Sequence, residues 1–91
     1  MVKRDAIIQF CNEYLNIDAF SDYGPKGLQF LGKAEVNKIV TGVSVSRELF
    51  AAAAEAQADM ILVHHGEFWN NMSQRVDRVR KQRLIILFEH D

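Results

Sequence analysis

Ninety-one residues with 48% hydrophobic and 25% charged side chains have the balance of a folded globular chain rather than a disordered one. The length suits one small domain or part of a larger one, and a formal net charge of -1 gives no global pull toward nucleic acid or an anionic membrane. A single cysteine, Cys11, rules out an intrachain disulfide and a zinc site of the four-cysteine type, which fits a reducing compartment.

The opening residues, Met1-Val2-Lys3-Arg4-Asp5, lead into a short mixed segment without the apolar core of a signal peptide. No apolar run approaches the roughly 18 residues that span a bilayer. The expectation is a soluble, cytoplasmic chain with no membrane partner.

From Lys3 to Leu15, the residues Ala6, Ile7, Phe10, Cys11, Tyr14 and Leu15 recur at helical spacing, with Asp5, Gln9, Asn12 and Glu13 opposite. This predicts an amphipathic helix with Cys11 as a small buried hydrophobe rather than a reactive thiol. Asn16 to Gly32 is dense in glycine and turn residues, and Gly24-Pro25 is a strong breaker. It reads as a long loop pinned by Leu28, Phe30 and Leu31, with room for a short strand.

Lys38 to Ser44 reads as a strand, with Ile39, Val40 and Val43 β-branched and Gly42 allowing close backbone approach. Ser44 or Ser46 can cap the following alanine-rich helix, which should run to about Ala58. Met60 to Val63 is a continuous apolar run, the pattern of a strand buried on both faces. Strand, helix and strand form a βαβ unit, whose right-handed crossover makes the two strands parallel.

Gln74 to about Glu89 reads as a last helix. Val76, Val79, Ile86 and Leu87 share an arc of about 100° on its wheel. Leu84, Ile85 and Phe88 fall outside that arc, so the helix end is apolar nearly all round. A small isolated domain could hardly bury so much, which predicts a partial α/β domain over residues 1–91, the N-terminal portion of a larger one. Overall the expected order is helix, loop, βαβ unit and final helix.

His64 and His65 follow directly on the second strand. Ligands of open α/β sheets bind outside the carboxyl ends of the strands, and imidazole is the commonest metal ligand among side chains. The pair is therefore the candidate site. On a regular strand successive side chains point to opposite faces, so a shared site requires the strand to have ended and the backbone to turn at Gly66. In a dinuclear site each histidine can hold its own ion. The rival reading is one core histidine and one facing solvent.

Asp59 stands at the far end of the strand and should be exposed. Glu67 is close enough to orient a ligand or act as a base, although a solvated acid is the commoner meaning. Arg75, Arg78, Arg80, Lys81 and Arg83 could meet the phosphates of a nucleotide, with Trp69 stacking on a base. A solvated helix face and aromatic packing are the commoner meanings there too. His90 reads as a helix-end residue. No phosphate-binding glycine loop is present.

Three stretches together resemble a known family. Ser21-Asp22-Tyr23-Gly24-Pro25-Lys26-Gly27-Leu28-Gln29, then Lys38-Ile39-Val40-Thr41-Gly42-Val43, then Val63-His64-His65-Gly66 with Phe68-Trp69, match in order and spacing the amino-terminal part of the GTP cyclohydrolase 1 type 2 homologues. That resemblance implies an α/β fold, a toroidal homohexamer and two divalent metal ions per full-length subunit, whether zinc, iron or manganese. It makes His64 and His65 the paired metal ligands and places the remaining ligands beyond Asp91. Lys26 departs from the asparagine common in relatives.

The function so implied is that of a metal-dependent hydrolase acting on a nucleotide or related heterocycle, with this 91-residue portion inactive alone. The alternatives are a non-catalytic metal-binding or scaffolding protein, or an inactive truncated remnant. No nucleic-acid partner is expected.

Overall fold

Ser46 fixes the start of the central crossover. Its hydroxyl accepts a hydrogen bond from the Leu49 N–H at 3.0 Å, satisfying a donor that the first helical turn leaves unpaired. In the computed structural model, which describes residues 1–21, 24–70 and 72–91, helix α2 then runs Arg47–Glu55. It stops three residues before the expected end because Gln57 turns left-handed at φ 59°. The Ala58 N–H reaches back to the Ala53 carbonyl and the Gln57 N–H to that of Ala54, which closes the helix.

On either side of α2 lie strands β3, Ile39–Ser44, and β4, Met60–His65. They pair in parallel from Ile39↔Met60 to Ser44↔His65, the expected βαβ unit. Gly42 behaves as its lack of a side chain suggests: a Cβ there would come within 2.8 Å of Leu49 on α2. Ala53 and Phe50 of α2 are the best buried residues of this unit, so the alanine-rich face does let the helix lie close.

Asp59, expected to be exposed, is drawn into the structure. Its Oδ2 accepts from the Asn37 and Lys38 N–H groups at 2.8 and 3.1 Å, and Oδ1 accepts from Lys33 Nζ at 3.2 Å. The carboxylate thus ties the amino end of β3 to that of β4.

At the amino terminus, β1, Val2–Lys3, pairs antiparallel with β2, Glu35–Val36, a ribbon too short to show as a sequence pattern. Helix α1, Arg4–Tyr14, follows. Its inward side differs from the expected arc: Ile7, Ile8, Cys11 and Asn12 are half-buried, whereas Phe10, Tyr14 and Leu15 are exposed. Phe10 and Tyr14 stack on each other outside, their centroids 5.7 Å apart. The loop that follows forms a short 3-10 turn at Ile17–Ala19, and no strand forms at Leu28 to Leu31.

Helix α3 spans Arg78–His90 rather than starting at Gln74, because Asp77 caps it by accepting the Arg80 N–H at 2.9 Å. Val76 therefore lies outside the helix, and it and Val79 are exposed rather than buried. Ile86 and Leu87 are half-buried as expected, and so is Leu84.

The strand run is not buried on both faces. Val40 and Gly42 lie toward α2, while Ile39, Val43 and Leu62 form the opposite face, with Val43 67% and Leu62 42% exposed. Parallel sheets are normally covered on both sides. Phe88 at the end of α3 is 72% exposed as well.

Two outcomes are expected. First, the Asp59 pKa is lowered, chiefly by the backbone N–H groups of Asn37 and Lys38 and then by Lys33. A group with a depressed folded pKa adds stability above the ordinary aspartate value of about 3.9, and that stability is lost as pH falls toward the lowered value. Asp59→Asn should therefore flatten the acid side of the stability curve below about pH 4, as read by denaturant melts across pH. Second, the uncovered sheet face should make the 91-residue chain self-associate in sedimentation. A monomeric, cooperatively melting species would contradict this.

Candidate metal centre at the carboxyl edge of the parallel strands

The parallel register carries Ser44 and His65 to the same edge, and the Val45 N–H continues the ladder to the His65 carbonyl at 3.2 Å. Both histidines belong to β4, so the strand does not end before them as a shared site was expected to require. Their rings nonetheless meet edge-on with centroids 4.3 Å apart and planes at 61°. His64 is exposed and His65 half-buried. They open onto different spaces: His65 lines a pocket of about 330 Å³ with Ser44, Val45, Gly66, Trp69 and Arg83, and His64 lines a larger groove of about 600 Å³ reaching toward α1.

The turn after the pair is held from two sides. Gln29 Oε1 accepts from the Glu67 N–H at 2.8 Å and the Phe68 N–H at 3.3 Å, while its Nε2 donates to the Pro25 carbonyl at 2.9 Å. Contact is close enough that a Cβ on Gly66 would clash with the Gln29 side chain, and one on Gly24 with the Phe68 carbonyl. Phe30 stacks on Phe68, 5.2 Å between centroids. The long loop thus serves the site by positioning it. Within that loop Lys26 Nζ donates to the carbonyls of Ile17, at 2.6 Å, and Phe20, a tie between two turns. Asp22 and Tyr23 lie outside the described residues.

From the other side, Glu67 reaches into the protein, which corrects its reading as a solvated acid: the residue is only 4% exposed. Arg83 Nη1 donates to its Oε2 at 3.1 Å, and Arg80 Nε lies 3.9 Å from its Oε1. Arg80 also lies over the Phe68 ring at 5.3 Å. The basic run is therefore split. Arg75, Arg78 and Lys81 are on the solvated side, whereas Arg80 and Arg83, three apart and so on one helix face, turn inward.

Trp69 stacks against His65, 5.9 Å between centroids, while keeping 40% of its surface exposed. His90 is exposed at the end of α3, as a helix-end residue. Cys11 is half-buried in α1 and takes no part in the site.

Two imidazoles suit a divalent ion such as zinc, iron or manganese. They supply two donors where a zinc shell takes about four. Among the described residues no group of three or more His, Cys, Asp or Glu side chains is placed to hold a metal. The pair therefore fits as part of a ligand set.

Sequence reasoning gave Gln29 and Ser44 no place in the site, and it took Arg80 and Arg83 together with the rest of the basic run without separating the two that turn inward. Only the three-residue spacing of the arginines carried a signal. If Gln29 holds the turn, Gln29→Ala leaves two N–H groups without their acceptor and should cost about 1–3 kcal/mol in denaturant melts. Unchanged stability and unchanged His64 and His65 ring shifts by NMR would show that the turn stands without it.

Residues 2–91 match the Duf34/NIF3 (NGG1p interacting factor 3) family. The chain is 44% identical to the GTP cyclohydrolase 1 type 2 homolog of Neisseria meningitidis serogroup A over 91 residues, all of this chain and 36% of that protein. It is 49% identical to the homolog of Yersinia pestis over 80 residues, 88% of this chain and 32% of that one. A solved structure described as protein ybgI, of unknown function, superposes with a TM-score of 0.94 at 43% identity, over 99% of this chain and 36% of the other. The TTHA1606 structure from Thermus thermophilus gives 0.91 at 33% identity, over 98% and 37%. The chain thus spans about a third of the length of the relatives it matches. Its fold, and its likeness to these proteins over nearly every residue, make it a member of the Duf34/NIF3 family.

Proposed function

We propose that this chain carries half of the ligand set of a dinuclear metal-dependent hydrolase, with His64 and His65 each binding one divalent ion. The observation that supports it most is the meeting of two imidazoles, 4.3 Å apart, at the carboxyl edge of parallel strands, where α/β proteins bind ligands. Their opening onto separate spaces suits two ions better than one. When bound, such an ion lowers the pKa of a coordinated water so that hydroxide is available near neutral pH. The residues of this chain orient the pair: Gln29 and the Glu67–Arg83 ion pair fix the turn that follows it.

The names of the relatives speak of GTP cyclohydrolase homologues, and the substrate class proposed here is a nucleotide or related heterocycle. The assembly proposed is a homohexamer, in which the remaining two thirds of the family's length completes each centre. A second reading is favoured by the family's description as an interacting factor: a metal-binding scaffold that assembles with partners and turns nothing over.

Titration of the 91-residue chain with Co²⁺ should give weak, substoichiometric binding that His64→Ala and His65→Ala each reduce. Two tightly held ions per chain by elemental analysis would overturn the need for further ligands. In a full-length relative bearing the same pair, GTP turnover abolished by either substitution supports the hydrolase; two bound ions without turnover support the scaffold.

A further inference from the structure

We infer that the pocket between Ser44, His65, Trp69 and Arg83 is a binding subsite for a small organic phosphate, with the phosphoryl group against Arg83 and the flat ring against Trp69. Two guanidinium groups, Arg80 and Arg83, share the one carboxylate of Glu67. This half-buried cluster therefore holds a surplus positive charge. Arg83 is the member that lines the pocket. Its Nη1 is committed to Glu67 and its Nε is buried with no acceptor among the described residues, so Glu67 does not satisfy the whole guanidinium.

A guanidinium so held is pre-organised for an anion, because its orientation is already fixed by Glu67 and little side-chain freedom is lost on binding. Ser44 adds a hydroxyl to the same wall. Trp69, whose ring is stacked on His65 and 40% exposed, offers an aromatic face beside it. The pocket's volume of about 330 Å³ sits at the lower end of small-molecule sites, which suits a mononucleotide-sized ligand rather than a polymer. The inference rests on the hydrolase reading for the purpose of the ligand, since it sets an anion-bearing heterocycle beside His65. Its own support is the charge surplus and the lining of the pocket, which do not involve a metal.

Trp69 is the only tryptophan of the chain, so its fluorescence reports on this pocket directly. The chain, kept in excess chelator, would be titrated with a nucleoside 5′-monophosphate, with the parent nucleoside and with inorganic phosphate. The monophosphate should produce a saturable change, stronger than either of the other two. Arg83→Gln should weaken it about tenfold or more, and Ser44→Ala, which leaves the Glu67 pair intact, a few-fold. Arg83→Lys should fall between wild type and Arg83→Gln.

Lys81→Gln, an exposed charge on the same helix outside the pocket, should bind as the wild type does. The inference is overturned if the wild type shows no saturable change, if the nucleoside alone binds as well, or if Lys81→Gln loses as much as Arg83→Gln. Should Arg83→Gln unfold by circular dichroism, unchanged binding by Ser44→Ala and Arg83→Lys overturns it equally. Because no metal is present, failure here leaves the Co²⁺ result standing, and failure of Co²⁺ binding leaves this one standing.

Discussion

A carboxylate cannot be buried as an ion without charged partners and hydrogen bonds, and Glu67, its side chain 2% exposed, places that demand immediately beyond the histidine pair. The partners come from α3. Meeting the demand draws Arg80 and Arg83 inward, docks the first half of that helix beside the crossover unit, and sets the face it shows to the sheet. The backbone of the same turn is held by Gln29 from the opposite side. His64 and His65 thus stand between a strand fixed by its ladder and a turn fixed by two distant segments. Side chains pre-oriented in this way lose little freedom on taking up a ligand.

The opposite side of the sheet is arranged quite differently. Ile39, Val43 and Leu62 present an apolar face that stays 42%, 67% and 42% exposed, while Gly42 on the other face lies close against Leu49 of α2. Burial is the dominant source of folding free energy, at about 25 cal/mol per Å² of apolar surface, so a face left open forgoes much of what a parallel sheet normally gains. The firm part of the structure is accordingly the crossover and the site edge. Leu62 and Phe88 stay exposed and add little to it.

How far the sequence disclosed this follows the range of the interactions. The βαβ unit was legible because its signals are local: the serine cap, the alanine run, Gly42 and the apolar strand lie within a few residues of what they control. The N-terminus of α3 was misplaced by counting Val76 into an apolar arc when Asp77, a better cap, stood next to it. Helix α1 was placed well along the chain but rotated about its axis, since Phe10 and Tyr14 satisfy each other outside the core. Glu67 was misread because a single acid usually belongs to solvent, and its partners arrive from thirteen and sixteen residues further on. Gln29 acts across 38 and 39 residues, and no local pattern announces such a contact.

The adjacency of the two histidines carries a further constraint. Consecutive strand residues leave the backbone on opposite sides, so for both to serve one ion the rings must curl around the strand edge and aim their lone pairs at a single point. Here the rings approach edge to face, at 61°, and the spaces beyond them differ: a small pocket with Ser44, Trp69 and Arg83 for His65, a broad and largely apolar groove for His64. An arrangement that separates the two outlets while keeping the rings in contact suits the proposed two-ion centre, in which each imidazole would hold its own ion. It would also give two such ions unequal surroundings. An ion held at His65 would share its pocket with Arg83 and Trp69, and one held at His64 would lie at the groove that reaches toward α1.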